Sequence, residues 1–222
     1  MHRSVFKIVE RGKHDREQRQ QALIEAATAV FAERGYDGAT TREIAARSGC
    51  AEGLIHRYFQ GKRGLLLAIM HHKVGEVVED FKSGLPPRET VEEEIEQLLC
   101  WHLTVMWERR DFMRVCVSEA AIDSELGRSI GDGLNRSRVE QIVERLRGHR
   151  EAGRIRDDID LEAVALSIAD LGFTLGFFAQ VVFEMDREDV HGAARSIARV
   201  LSRGIVAREP ASETTGGGEG LR

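Results

Sequence analysis

Three cysteines in 222 residues, Cys50, Cys100 and Cys116, are odd in number, widely spaced and without a CxxC pair. That excludes a disulfide framework and argues against a zinc finger, so reduced thiols are expected. The chain shows no uninterrupted apolar run approaching the ~20 residues that cross a bilayer. Its N-terminal segment, His2 to Glu10, lacks a secretory apolar region. A cytoplasmic protein without membrane contact is expected. GxSxG, Walker, GxGxxG-after-strand and HExxH patterns are all missing, so an enzyme is disfavoured and no cofactor or metal is expected. His71 and His72 are neighbours that point apart on a helix and do not easily share one ion. No repeat with a period of roughly 20–50 residues occurs, and no alternating strand pattern persists.

What remains is a chain rich in Ala, Leu, Glu and Arg, long enough to bury a core. The pattern predicts an all-α protein with a three-helix head and a C-terminal helical bundle. Charge is divided between them. Residues 1–63 hold 12 Lys and Arg against 8 Asp and Glu, whereas residues 64–222 hold 20 against 29. A cationic head on an acidic body suits contact with a polyanion at one end only.

The most informative stretch is Thr40 to Lys62. Thr40 is placed to cap a short helix, with Glu43 positioned for a capping box. Ile44 and Ala45 face inward, and Gly49 supplies the turn. A second helix is expected from about Ala51 to Phe59, with Ile55 and Phe59 on its buried side. Its outer side carries Glu52, His56, Arg57 and Tyr58, with Gly53 near its start and Lys62 beyond its end. Two short helices around a glycine, the second basic and aromatic, form a helix-turn-helix pattern that places one helix in the DNA major groove. Arg57 and Lys62 can neutralise phosphates, and His56 and Tyr58 can donate to phosphate oxygens. Glu52 could accept from a cytosine amino group. Arg42, beside Thr40 and Thr41, could reach a phosphate or a guanine edge.

Upstream, Arg16 to Arg34 reads as a helix with Leu23, Ala26, Ala27, Val30 and Phe31 on one face, stopped by Gly35. Over about residues 19–70, the succession of Phe31, Gly35, Thr40, Thr41, Ile44, Ala45, Gly49, Gly53, Ile55, Tyr58, Phe59 and Lys62 closely resembles the DNA-binding head of the TetR family of transcriptional regulators. The family often has Ser or Thr near the start of the recognition helix, where this chain has Ala51 and Leu54. It often has Tyr where His56 stands. The resemblance implies a DNA-binding regulator, usually a repressor released from a double-stranded operator by a small molecule.

Four regions are expected: a flexible arm over 1–15, the DNA-binding head over 16–63, an effector and dimerisation body over 64–208, and a disordered tail over 209–222. By resemblance, a helix over about 64–83 acts as the lever between head and body. Further helices are expected from Thr90 to about Arg109, from Asp111, from Asp123 or Ser124 to near Gly153, and over about 160–184 and 187–206. The last pair is dense in small residues, among them Ala165, Ala169, Gly172, Gly176, Ala194 and Ala198. The resemblance places these at a homodimer interface; close packing within one protomer is the alternative. Trp101, His102, Met106, Met113, Phe173 and Phe177, with Phe178, could line a cavity for a small apolar effector, or be plain core. His102 could bond a ligand carbonyl or carboxylate, or be a satisfied core histidine. Cys50, at the helix-turn-helix bend, is either redox-sensitive or an inert buried thiol. A second reading keeps the fold but makes the protein an adaptor controlled by a protein partner, with no small-molecule inducer.

Overall fold

A computed structural model describes residues 2–131 and 136–206; side chains are described within these ranges except at 2–13, 74, 77–79, 82, 83, 129 and 130. The tail expected over 209–222 lies outside the described residues.

Helix α1 (His2–Gly38) begins at His2, so the positions expected as an unpatterned arm are helical. It is interrupted at Gly35, whose φ of 69° and ψ of 177° leave the helical region. Its Leu23, Ala27, Val30 and Phe31 are fully buried, as their spacing predicts. Helices α2 (Thr41–Ser48) and α3 (Gly53–Phe59) follow. Thr40 caps α2 by accepting from the Glu43 amide at 3.2 Å. The expected return bond from Glu43 is replaced: its carboxylate pairs with Arg34 Nε at 2.7 Å. Arg34 is a stronger electrostatic partner than a neutral amide. Gly49 ends α2 with φ 68°, a left-handed conformation that L side chains resist.

The body comprises α4 (Lys62–Gly84), α5 (Val91–Glu108), α6 (Arg110–Ile122), α7 (Ser124–Ile130), α8 (Arg136–Glu151), α9 (Leu161–Phe173) and α10 (Arg187–Ile205). Gly64 lets α4 start directly over the end of α3: a Cβ there would lie 1.7 Å from the Phe59 carbonyl oxygen. Thr90 and Glu93 complete a reciprocal capping box on α5. The single helix expected from Asp123 to near Gly153 is instead α7 and α8, with 132–135 between them outside the described residues. Asp123 caps α7 through the amides of Glu125 and Leu126.

Helix α9 continues without a stop into a π-helical segment, Thr174–Val182. Together, Leu161–Val182 is long and apolar enough to cross a membrane by length and composition, contrary to the sequence reading. Half of that window is buried within the fold.

Two hydrophobic clusters dominate. One unites α1 to α4 with Phe112, Val115 and Cys116 of α6 and Leu126 of α7. The other gathers α5, α8, α9 and α10 around Ile95, Leu98, Leu99 and Leu103. The small residues expected at a dimer interface are used in this second packing. Ala165, Ala169, Ala194 and Ala198 are fully buried within the protomer, and Gly172 and Gly176 are buried with them. Central α5 needs close neighbours: a Cβ at Gly172 would sit 2.8 Å from His102 Cγ, and one at Gly176 2.9 Å from Met106 Cγ. The exposed apolar residues of the same helices are others: Leu166, Phe178, Val182, Phe183 and Val200, with Met185 in the turn between them.

Candidate nucleic-acid interface and effector cavity

Burial of Ile55 and Phe59 fixes the rotation of α3 and turns Glu52, Gly53, His56 and Arg57 to solvent. Ala51 is exposed just before it, and Thr40 and Arg42 are exposed on and beside α2. Thr41 Oγ1 donates to Glu52 Oε1 at 2.5 Å, tying the start of α2 to the start of α3. Glu52 is therefore already oriented before any base is met.

Tyr58 lies between the faces and forms, with Arg57, Arg16 and Arg19, a cleft of about 250 Å³. Arg16 sits 5.4 Å from the Tyr58 ring centre in a cation–π arrangement. Among the described residues these three arginines have no ion-pair partner, so the cleft concentrates positive charge beside α3. Sequence reasoning identified Arg57 and Tyr58 but not Arg16 and Arg19; the basic surplus of the head was their only signal.

Lys62 is placed differently from expectation. Its Nζ donates to the carbonyls of Tyr36 at 2.8 Å and Ala39 at 3.1 Å. It also lies 4.3 Å from the Tyr36 ring centre. The ammonium straps α4 to the turn after α1, and the phosphate role expected for it gives way to a structural one. Cys50 is half-buried against the head core.

In the body, α4 to α9 line a cavity of about 360 Å³. It brings together Trp101, His102, Met106, Met113 and Phe173, as the sequence suggested. Phe177 is not on its wall: it is buried and stacks on Phe173, ring centres 5.6 Å apart. Met70, Phe81, Phe112 and Cys116 complete the apolar lining and were not anticipated, because α4 and α6 each present a second apolar face that periodicity alone assigned to core. Its polar lining comprises Lys73, His102, Arg109, Arg138, Gln141 and Asp170. Burial, aided by the Arg138 charge, lowers the His102 pKa to about 3. Burial also lowers the Arg138 pKa, opposed by Asp170. His71 and His72 do not form part of any metal-ligand group of three among the described residues.

Between the two sites runs one ion pair. Arg63, at the start of α4, grips Asp123 through Nε at 2.5 Å and a terminal nitrogen at 3.0 Å, and reaches Glu125 at 2.9 Å. The Arg63 bonds, with the Leu126 amide, hold the Asp123 carboxyl far below the usual range.

Residues 23–69, spanning most of α1, all of α2 and α3 and the start of α4, match the model of bacterial regulatory proteins of the tetR family. Over these residues the chain carries the DNA-binding domain of that family. The chain is 35% identical over 81 residues to the transcriptional regulator BetI of Brucella anthropi, covering 36% of this chain and 42% of that protein. It is 29% identical over 84 residues to the fatty acid metabolism regulator protein of Bacillus subtilis, covering 38% and 43%. The match to the repressor AcnR of Corynebacterium diphtheriae is longer: 28% over 151 residues, 66% of this chain and 73% of that protein. The chain thus spans about four tenths of the length of the first two relatives. The crystal structure of FadR from Bacillus subtilis, in complex with stearoyl-CoA, superposes with a TM-score of 0.67 at 21% identity, over 83% of this chain and 98% of that one. That likeness extends the shared fold beyond the head into the helical body. The relatives are transcriptional regulators and not enzymes.

Proposed function

We propose that the protein is a homodimeric repressor that binds a pseudo-palindromic operator and is released from it by an apolar effector. The observation that carries the DNA reading is the outer face of α3, where Glu52, His56 and Arg57 stand exposed beside the cleft of Arg16, Arg19 and Tyr58. A helix of this length, with acceptors and donors at its N-terminal half and cations flanking it, fits major-groove readout held in register by phosphate contacts. Thr40, Thr41 and Arg42 would approach the backbone from the start of α2. Two heads related by a two-fold axis would read two half-sites. The exposed Leu166, Phe178, Val182, Phe183 and Val200 support a dimer face on the outer side of α9, its π-helical continuation and α10. The small residues of those helices pack inward.

Effector control rests on the wall shared by cavity and head. Helix α6 sends Met113 and Val117 to the cavity while Phe112 and Cys116 belong to both the cavity lining and the head cluster. Helix α4 carries Met70 in the same double position. A ligand that requires these helices to part would act on the head through them and through Arg63–Asp123. It weakens DNA binding only if it favours the arrangement that DNA disfavours. The FadR neighbour holds stearoyl-CoA, and an apolar cavity in the corresponding fold supports an apolar occupant here. The reading is tested by selecting duplexes from a random pool with the full chain. A two-fold symmetric half-site pair is expected; the absence of any enriched motif would refute it.

A further inference from the structure

We infer that the cavity is built to receive a hydroxyl group, so that its ligand is an apolar alcohol or phenol and not a carboxylate or carbonyl compound. The inference deepens the effector reading above and rests on it for the ligand's regulatory effect, but not for its binding.

The argument starts from His102. Its Nδ1 lies 2.7 Å from the Leu98 carbonyl oxygen on the same helix. A carbonyl oxygen can only accept, so Nδ1 carries the proton and donates. In a neutral imidazole the other nitrogen, Nε2, is then a bare acceptor. His102 is 1% exposed and lines the cavity, and Nε2 has no hydrogen-bond partner among the described residues. Burial and the Arg138 charge both oppose protonation, which keeps Nε2 an acceptor at neutral pH. A buried polar atom left without a partner is costly, and a ligand that supplies the partner recovers that cost.

To pair with Nε2 the ligand must bring a donor, into a pocket whose apolar wall includes Phe81, Trp101 and Phe173 and whose polar wall also carries Lys73, Arg109 and Arg138. A carboxylate or ketone can be met by the cations of the wall, Lys73, Arg109 and Arg138, but offers only acceptors and leaves Nε2 facing a lone pair, its own partner still missing. A hydroxyl offers one proton to Nε2 and keeps its lone pairs for the Arg138 guanidinium on the same wall. An ammonium would meet the Arg138 charge. The sequence reading of His102 as a partner for a ligand carbonyl or carboxylate is thereby reversed in sign: the ring accepts.

The test is calorimetric titration of the full chain with matched compounds: dodecanol, its methyl ether and dodecanoate, and hexylphenol with its methyl ether. The alcohol or the phenol is expected to bind at least about tenfold more tightly than its ether, the ratio an added buried hydrogen bond supplies. The same preference over dodecanoate is expected. His102→Leu should bring the alcohol-to-ether ratio close to one while leaving ether affinity in place. Because that variant could misfold beside Gly172, the imidazole 15N spectrum of the unaltered protein supplies a second readout. The unprotonated Nε2 signal should move on adding alcohol and stay in place on adding ether. Equal or weaker binding of both hydroxyl compounds, or no binding by any of the set, overturns the inference. Operator affinity measured in parallel separates the two readings. An alcohol preference without any effect on operator affinity sinks the effector role alone, whereas ether or carboxylate preference with intact operator release sinks the hydroxyl assignment alone.

Discussion

Arg57 and Lys62 bear the same charge at the two ends of a short stretch, and their surroundings separate their roles. Arg57 projects into solvent beside Arg16 and Arg19, where a guanidinium is free to meet a phosphate. Lys62 is spent on the Tyr36 and Ala39 carbonyls. Arg57→Ala should therefore lower operator affinity and reduce the slope of log affinity against log salt by about 1, with melting unchanged. Lys62→Ala should instead destabilise the fold by about 1.5–3 kcal/mol, the worth of charge-assisted bonds. Anisotropy titrations paired with urea melts decide the matter: a flattened salt slope with normal stability in the Lys62 variant would return it to the phosphate contacts. His102 adds a pH dependence. An unfolded chain binds a proton at this histidine below its ordinary pKa of 6.5, whereas the folded chain resists until about 3. Stability from this group is thus complete above pH 6.5 and declines as pH falls, by up to about 2 kcal/mol at pH 5. Denaturant melts at pH 7 and pH 5 should show a larger loss for the unaltered protein than for His102→Leu. Sequence alone placed His102 on an apolar face. It could not say which nitrogen carried the proton, because that depends on the 2.7 Å contact to Leu98.

Elements were legible where their signals are local. The caps at Thr40 and Thr90 and the left-handed turn at Gly49 stand where the spacing of residues puts them. What depends on partners distant in the chain was not legible. Glu43 chose Arg34 over its own capping box, and the small-residue stripes of α9 and α10 turned toward α5 within the protomer. Small side chains announce close packing without announcing against what. The same ambiguity hid the doubled faces of α4 and α6, so the cavity was half predicted: its α5 and α9 walls and Met113 of α6 were read, its α4 and α8 walls and the rest of α6 were not. Gly172→Ala tests the inward packing. The added methyl would press on His102 Cβ and Cγ, at 2.9 and 2.8 Å, which a flexible chain end could yield to but a ring base cannot. A loss of about 1–3 kcal/mol is expected from overpacking, partly offset by about 1 kcal/mol of helix propensity. A variant more stable than the parent in thermal melts would show that α9 has room there, against the packing described.

At the scale of the whole molecule, a cationic head and an anionic body are joined through α6 and the Arg63–Asp123 pair, the contacts through which the proposed effector would act on the head. In the proposed dimer, the geometry of the interface would set the distance between two heads, and so the spacing of half-sites. The exposed Val182, Phe183 and Val200 carry the proposed dimer face. Phe183→Glu combined with Val200→Glu should give a monomer in sedimentation while leaving helix content intact; a dimer that survives both charges would place the interface elsewhere. The central claim, that α3 reads paired bases, is met most directly by one equilibrium measurement. Affinity for the selected duplex is compared with affinity for a scrambled duplex of equal length, in physiological salt and without added ligand. A preference of at least about 10³-fold is the expected result. Equal affinity for the two duplexes would contradict it, leaving only a cationic tip that attracts any phosphate backbone.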